Sequence, residues 1–174
     1  MSAAFDARPV LEPERPDDAT AALALVDRCF GPGRFAKAAE RLREGNHPYT
    51  ALSFVVRDGG EVVASVRLWP VRIGERPALL LGPIAVDPRL RHQGLGHALV
   101  EQACAAAEAD GHALVVLVGD ASFFGRLGFE VLPTGRIRMP GPADPGRVLV
   151  KALRPGTLDG LEGEVALPAA SARR

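Results

Sequence analysis

Leu81-Gly82-Pro83-Ile84-Ala85-Val86-Asp87-Pro88-Arg89-Leu90-Arg91-His92-Gln93-Gly94-Leu95-Gly96 is the segment from which the architecture can be built up. Its first half closes a nearly unbroken apolar run, Ala78 to Val86, of the kind expected for a strand covered on both faces. Its second half opens a helix pattern over 94–110, with Leu95, Leu99, Ala103 and Ala106 at helical spacing and Gly111 as the stop. The next apolar run, Leu114 to Val118, is the most buried-looking strand in the chain. Strand, helix and strand in that order imply a right-handed crossover between parallel neighbours, with function concentrated at the strands' C-terminal ends. Pro83 is the anomaly. It cannot donate to a ladder, so the strand is expected to bulge there and leave its pairing incomplete.

On the N-terminal side, β-branched and aromatic residues mark strands over 52–56 and 62–69, joined by the tight turn Asp58-Gly59-Gly60. Two antiparallel strands therefore begin the sheet. Before them, Asp17 and Asp18 are expected to cap a helix carrying Leu23, Val26 and Phe30, stopped by Gly31-Pro32-Gly33. A second helix is expected to place Phe35, Ala38, Ala39 and Leu42 on one face and to end at Gly45. On the C-terminal side a short helix, 121–127, leads through Gly128 into a strand at 129–132, and a final strand runs over 148–153. The expected fold is α/β: a mixed central sheet with an antiparallel start and a splayed parallel strand pair, flanked by helices on both faces. Residues 1–16 read as a loose, flexible lead, 17–154 as one domain and 155–174 as a C-terminal extension on or near it, with a frayed end from Pro168. The stretch 140–168 either packs back on the sheet or mediates a homodimer, and the residues do not choose.

Composition narrows the function classes. With 21 basic and 21 acidic residues, the chain has no net field to hold a nucleic-acid backbone or an anionic membrane. No apolar run reaches the roughly 20 residues of a membrane span, and the polar, proline-bearing N-terminus is not a secretory signal, so a cytoplasmic location is expected. Cys29 and Cys104 lack the spacing of a zinc site or redox pair and read as reduced core thiols; no metal is expected.

The turn between strand and helix is a candidate anion site. Glycines at 94 and 96 let a ligand approach the main chain, and the first helical turn offers unpaired N–H groups at a positive dipole end. Such a terminus suits phosphate oxygens. Arg89, Arg91 and His92 can add charge, and Gln93 an amide donor. Close packing of helix on sheet accounts for Gly94 and Gly96 equally well. A dinucleotide fingerprint is disfavoured, since Leu99 stands where a third glycine or alanine belongs, and no Gly-Lys-Ser or Gly-Lys-Thr triplet closes a triphosphate loop.

The segments 81–88 and 91–96, followed by Phe123-Phe124-Gly125-Arg126-Leu127-Gly128-Phe129, resemble the two signatures of the GNAT superfamily of N-acetyltransferases, in the family's order over about residues 50 to 132. The resemblance implies acetyl-coenzyme A as co-substrate, with no metal, and a primary amine as acceptor. It implies that backbone N–H groups of His92, Gln93, Gly94, Leu95 and Gly96 hold the pyrophosphate, with Arg91 also at the cofactor. Ile84, Ala85 and Val86 would pair with the pantetheine arm like an added strand, beside a bulge at Pro83, and Asp120, Phe123 and Phe124 would line the cofactor from the other side. Ordinary core packing explains the two phenylalanines as readily.

One departure concerns catalysis. Many family members carry a tyrosine where this chain has Phe124, and that hydroxyl is thought to protonate the departing thiolate. A thiol leaves tolerably unaided, so the expectation is direct attack of the amine, without an acyl-enzyme, at a reduced rate. The alternative is a coenzyme A-binding sensor or interaction module that has lost turnover. The acceptor amine must shed a proton, and Asp120 and Glu44 are preferred as its base over Glu40 and His47, although each has a plain structural explanation: a helix cap for Asp120, a solvated helix face for Glu44.

Overall fold

The computed structural model of the chain describes residues 10–169. Its strands are β1 (Leu11–Pro13), β2 (Phe54–Asp58), β3 (Glu61–Ile73), β4 (Arg76–Val86), β5 (Leu114–Val118), β6 (Ile137–Arg138), β7 (Val148–Ala152) and β8 (Gly163–Ala166). The main path runs β1-β2-β3-β4-β5-β7, with β8 joining β3 to β6. Pairing is antiparallel except at β4–β5 and β6–β8. The helices are α1 (Ala19–Phe30), α2 (Ala38–Arg41), α3 (Leu95–Ala109) and α4 (Ala121–Phe124). This is the expected mixed sheet, begun by the β2–β3 hairpin, whose turn glycines Gly59 and Gly60 both take positive φ.

Alternation along the strands assigns the helices to opposite faces. Phe54, Val56, Val66 and Leu68 pack with Leu95, Leu99 and Ala103 of α3, whereas Val55, Val62 and Ala85 pack with Leu25 and Val26 of α1. Farther along, the α1 side is closed by Leu42, Leu161 and Val165 over Trp69, Val71, Leu80 and Val116.

The bulge in β4 is real. Leu68 pairs with Leu81 and Val66 with Ile84, so Arg67 alone faces Gly82 and Pro83. The extra residue reverses the parity of the strand. Leu79 and Leu81 face the α3 side before it, and Ile84 and Val86 face the same side after it. Trp69 Nε1 donates to the Gly82 carbonyl at 2.6 Å and pins the bulge from the adjacent strand. Beyond it, β4 and β5 are no longer paired: their parallel register comprises only Leu79↔Val115 and Leu80↔Val116. The strand pair is splayed, as expected.

Several expectations need correction. On α1 the buried face is Ala22, Leu25 and Val26, while Leu23 and Phe30 are exposed. The helix is apolar nearly all round, and of its alanines only Ala22 is buried. Asp18 does not cap α1 with its side chain; that carboxylate accepts from the Arg15 N–H and pairs with Arg57. The second helix is a 3-10 turn, Pro32–Ala36, then an extended Lys37 and the four-residue α2, which leaves Phe35 exposed under the Arg34 guanidinium. The expected strand at 129–132 shrinks to a bridge between Glu130 and Val150. Leu11–Pro13, placed in the flexible lead, forms an edge strand on β2, and Glu14 is buried against Arg67. The stretch 140–168 does pack back: β8 extends the edge of β3 through Arg72↔Ala166 and Ile73↔Val165. The expected frayed end falls mostly on 170–174, outside the described residues. Among the described residues, no helix is long and apolar enough to cross a membrane.

Candidate active site

Where β4 and β5 part, a cavity of about 650 Å³ opens between them. Ile84, Val86 and Gly96 line it from the β4–α3 side, and Leu117, Gly119 and Phe124 from the β5–α4 side. The direction of the β4 peptide groups follows from one hydrogen bond. Asp87 N–H donates to Val63 O at 2.8 Å, so Asp87 bonds toward β3, and antiparallel alternation then turns the N–H and C=O groups of Val86 and Ile84 away from β3. They point into the gap that β5 has vacated. The Val86 carbonyl accepts only a weak bond there, from the Cys29 thiol at 3.4 Å.

At the far end of β4, Asp87 organises the turn. Its carboxylate accepts from the Arg89 N–H and guanidinium, which together hold it down to about 2 against its ordinary 3.8. Arg89 is therefore engaged by Asp87 instead of standing over the glycine turn, while Arg91 lines the cavity. His92 and Gly94 both adopt positive φ, at 68° and 77°, and Gly94 is the left-handed N-cap of α3. Among the described residues, the N–H groups of His92, Gln93, Gly94, Leu95 and Gly96 have no protein acceptor, and the first bond of the helix is from Ala98 N–H to Gly94 O. The Leu95 side chain is in the core, so that residue can offer only its main chain.

Phe123 and Phe124 meet edge to face at 4.8 Å. Phe123 is exposed at the cavity beside Gly96, whereas Phe124 is buried and its ring occupies the space where Gly119 would carry a side chain. Asp120 caps α4. Its Oδ1 accepts from the Ser122 N–H and hydroxyl, which lower its pKa, and the residue lines the cavity. Glu44 does not join the others: it is exposed in the turn after α2 and outside the cavity lining. Glu40, buried, has both oxygens occupied by Arg34 and Arg43. His47 is exposed.

Sequence reasoning missed the wall made by Arg34, Lys37 and Arg43 and the opposing wall made by Pro142, Asp144 and Arg147. The two are laced together by Arg41, whose Nη1 donates to the Pro140 carbonyl at 2.7 Å. No local motif marks either wall, and only the fold brings the two together.

Comparison with known proteins bears on this gap directly. Residues 50–131 match the family model for the acetyltransferase (GNAT) domain. The chain is also 32% identical over 155 residues to YhbS of Escherichia coli K12, named an uncharacterised N-acetyltransferase, spanning 87% of this chain and 92% of that protein. The chain belongs to the GNAT acetyltransferase family. Its fold is shared with the crystal structure of E. coli YhbS in complex with CoA, at a TM-score of 0.78 and 31% identity over 92% of this chain and 90% of the other. A GNAT acetyltransferase from Brucella melitensis, solved with acetyl-CoA, has the same fold at a TM-score of 0.67 and 24% identity, covering 94% and 98% of the two chains. As a GNAT member the protein is an acyltransferase, and the names of its relatives favour the enzyme over a sensor without turnover.

Proposed function

We propose that this protein transfers the acetyl group of acetyl-CoA to a primary amine by direct attack. The observation that carries the reading is two sets of main-chain groups without a backbone partner, those of Ile84 and Val86 facing the gap and the N–H groups of residues 92–96 at the start of α3. A pantetheine arm needs amide partners of that kind, and a diphosphate needs converging N–H donors at a helix start. The residues fit the cofactor. Arg91 adds a cation at the phosphate end, and Phe123 covers the opposite face.

Acetyl-CoA supplies a thioester carbon activated towards nucleophiles. The chain's part is to hold it straight, exclude bulk water and manage protons. As the acceptor nitrogen bonds to the acetyl carbon, the carbon–sulfur bond breaks and the nitrogen's proton departs. Of the two carboxylates favoured as base, Asp120 lines the cavity, with its Oδ2 unpartnered among the described residues, and takes that proton. Phe124 offers the thiolate no proton, so the sulfur leaves as the anion. Neither thiol serves as an acyl carrier: Cys104 is buried, with its pKa pushed up to about 11 by desolvation, and Cys29 lies beside Val86, four residues from the bulge.

Titration calorimetry with acetyl-CoA, followed by thiol release across an amine panel, tests the reading. Binding with amine-dependent release is expected. Absence of acetyl-CoA binding overturns it, and a burst of covalently acetylated protein overturns direct attack.

A further inference from the structure

The cavity wall at the β4 bulge holds an arginine whose Nε–Nη2 edge has no protein partner among the described residues. Arg43 gives Nη1 to Glu40 at 2.9 Å, but its Nε is buried without any hydrogen-bond partner, and its Nη2 has no protein acceptor among the described residues. Nε and Nη2 form the parallel side edge of a guanidinium, the edge that grips a carboxylate through two bonds. A buried donor left unmade costs stability and calls for a missing acceptor.

The place of this edge identifies what it is for. Nη2 lies 3.1 Å from where a side chain on Gly82 would begin, so it stands at the β4 bulge, within the cavity lining. The phosphate turn lies beyond Val86, more than about 13 Å away along an extended strand, and the pantetheine arm between them is uncharged. CoA thus supplies no anion at this point. The surrounding charge also calls for one. Arg34, Arg43 and Arg67 are largely buried, while only two carboxylates, Glu40 and Glu14, are buried with them; Asp27, which also pairs with Arg34, is half exposed. Lys37, with no carboxylate partner among the described residues, extends the cationic wall. Asp120, Asp144 and Arg147 also line the cavity.

We propose that the acceptor is an amine that also bears a carboxylate, gripped by the Nε–Nη2 edge of Arg43 with its nitrogen towards the Asp120 wall. The inference rests on the acetyl-transfer reading above. Burial, reinforced by the Arg34 and Arg67 cations and opposed by Glu40, lowers the Arg43 pKa, so an arriving anion relieves a real electrostatic load.

The test is thiol release at saturating acetyl-CoA with acceptors in matched pairs: β-alanine against β-alaninamide, alanine against alaninamide, 4-aminobutyrate against butylamine, with O-phosphoethanolamine as a second kind of anion. At least one acid is expected to exceed its neutral partner about tenfold or more in kcat/KM. Arg43→Met is expected to erase that preference and Arg43→Lys to restore part of it, while acetyl-CoA affinity by calorimetry changes less than about threefold. The proposal is overturned if the neutral amines serve as well as the acids, if phosphoethanolamine is preferred, if Arg43→Met keeps the preference, or if acetyl-CoA binds and no acid reacts. The wild-type comparison decides even where a variant does not fold. Failure to bind acetyl-CoA instead removes the proposed function, and this inference with it.

Discussion

Cys29 and Cys104 sit in opposite circumstances. Cys104 lies on the buried face of α3, where desolvation raises its pKa to about 11, and Cys29 is half-buried at the cavity with its S–H on a strand carbonyl. N-ethylmaleimide is therefore expected to label Cys29 and to leave Cys104 untouched until the protein unfolds. Saturating acetyl-CoA, which has no free thiol, should slow Cys29 labelling about tenfold or more, as read by mass spectrometry, since the pantetheine would lie against Val86. Unaltered labelling would place the cofactor elsewhere. Phe124 is the second informative position. Phe124→Tyr is expected to raise kcat about tenfold or more at an unchanged KM for acetyl-CoA, since a positioned acid typically contributes 10²-fold or more when proton transfer limits the step. An equal kcat would mean that thiolate departure does not limit turnover. Phe124 as the departure from the tyrosine pattern was legible from the signature alone. The Arg43–Glu40–Arg34 network was not, because Glu40 reads as part of a solvated helix face and Arg34 and Arg43 belong to no motif; the three acquire meaning only when the 3-10 turn folds Arg34 back onto α2.

The turn from β4 into α3 combines two tasks, holding the strand end and exposing amides. Gly94 sits at φ 77° with open space around it, so a side chain there meets no neighbour and acts on the backbone alone. Gly94→Val is expected to cost about 1–2 kcal/mol in that left-handed position and to weaken acetyl-CoA binding about tenfold or more by reshaping residues 92–96, measured by calorimetry. Asp87 anchors the same turn, and its pH signature has a definite sign. A carboxyl held at about 2 against 3.8 contributes stability that is complete above about pH 4 and lost as the pH falls through about 2. The melting-temperature gap between wild type and Asp87→Asn should be constant above about pH 4 and close between there and pH 2; a gap that persists at pH 2 would assign the effect to another interaction. Elements with long apolar runs and glycine turns, β3 to β5 and α3, were readable because each carries its own periodicity. The two- to four-residue strands β1, β6 and β8 were not, since their order comes from the strands they join.

Across the whole chain, the part that local reading placed least well proves structural. Leu161 and Val165 are fully buried, and they close the face of the sheet on the side away from α3. Leu161→Ala is expected to cost about 2–5 kcal/mol in denaturant unfolding, and a loss below about 1 kcal/mol would show that the 155–169 segment is only draped on the domain. Its neighbours reinforce this. A side chain at Gly163 would begin 2.7 Å from the Gly74 backbone, so two glycines allow the main chains to touch where β8 meets the end of β3. That docking also fixes an order of events during synthesis. The ribosome releases Ile73 about ninety residues before it releases β8, and throughout that interval the end of β3 has nothing along this edge. A nascent chain thus carries an unsealed strand margin, able to catch a neighbouring nascent copy, until Gly163–Ala166 arrives.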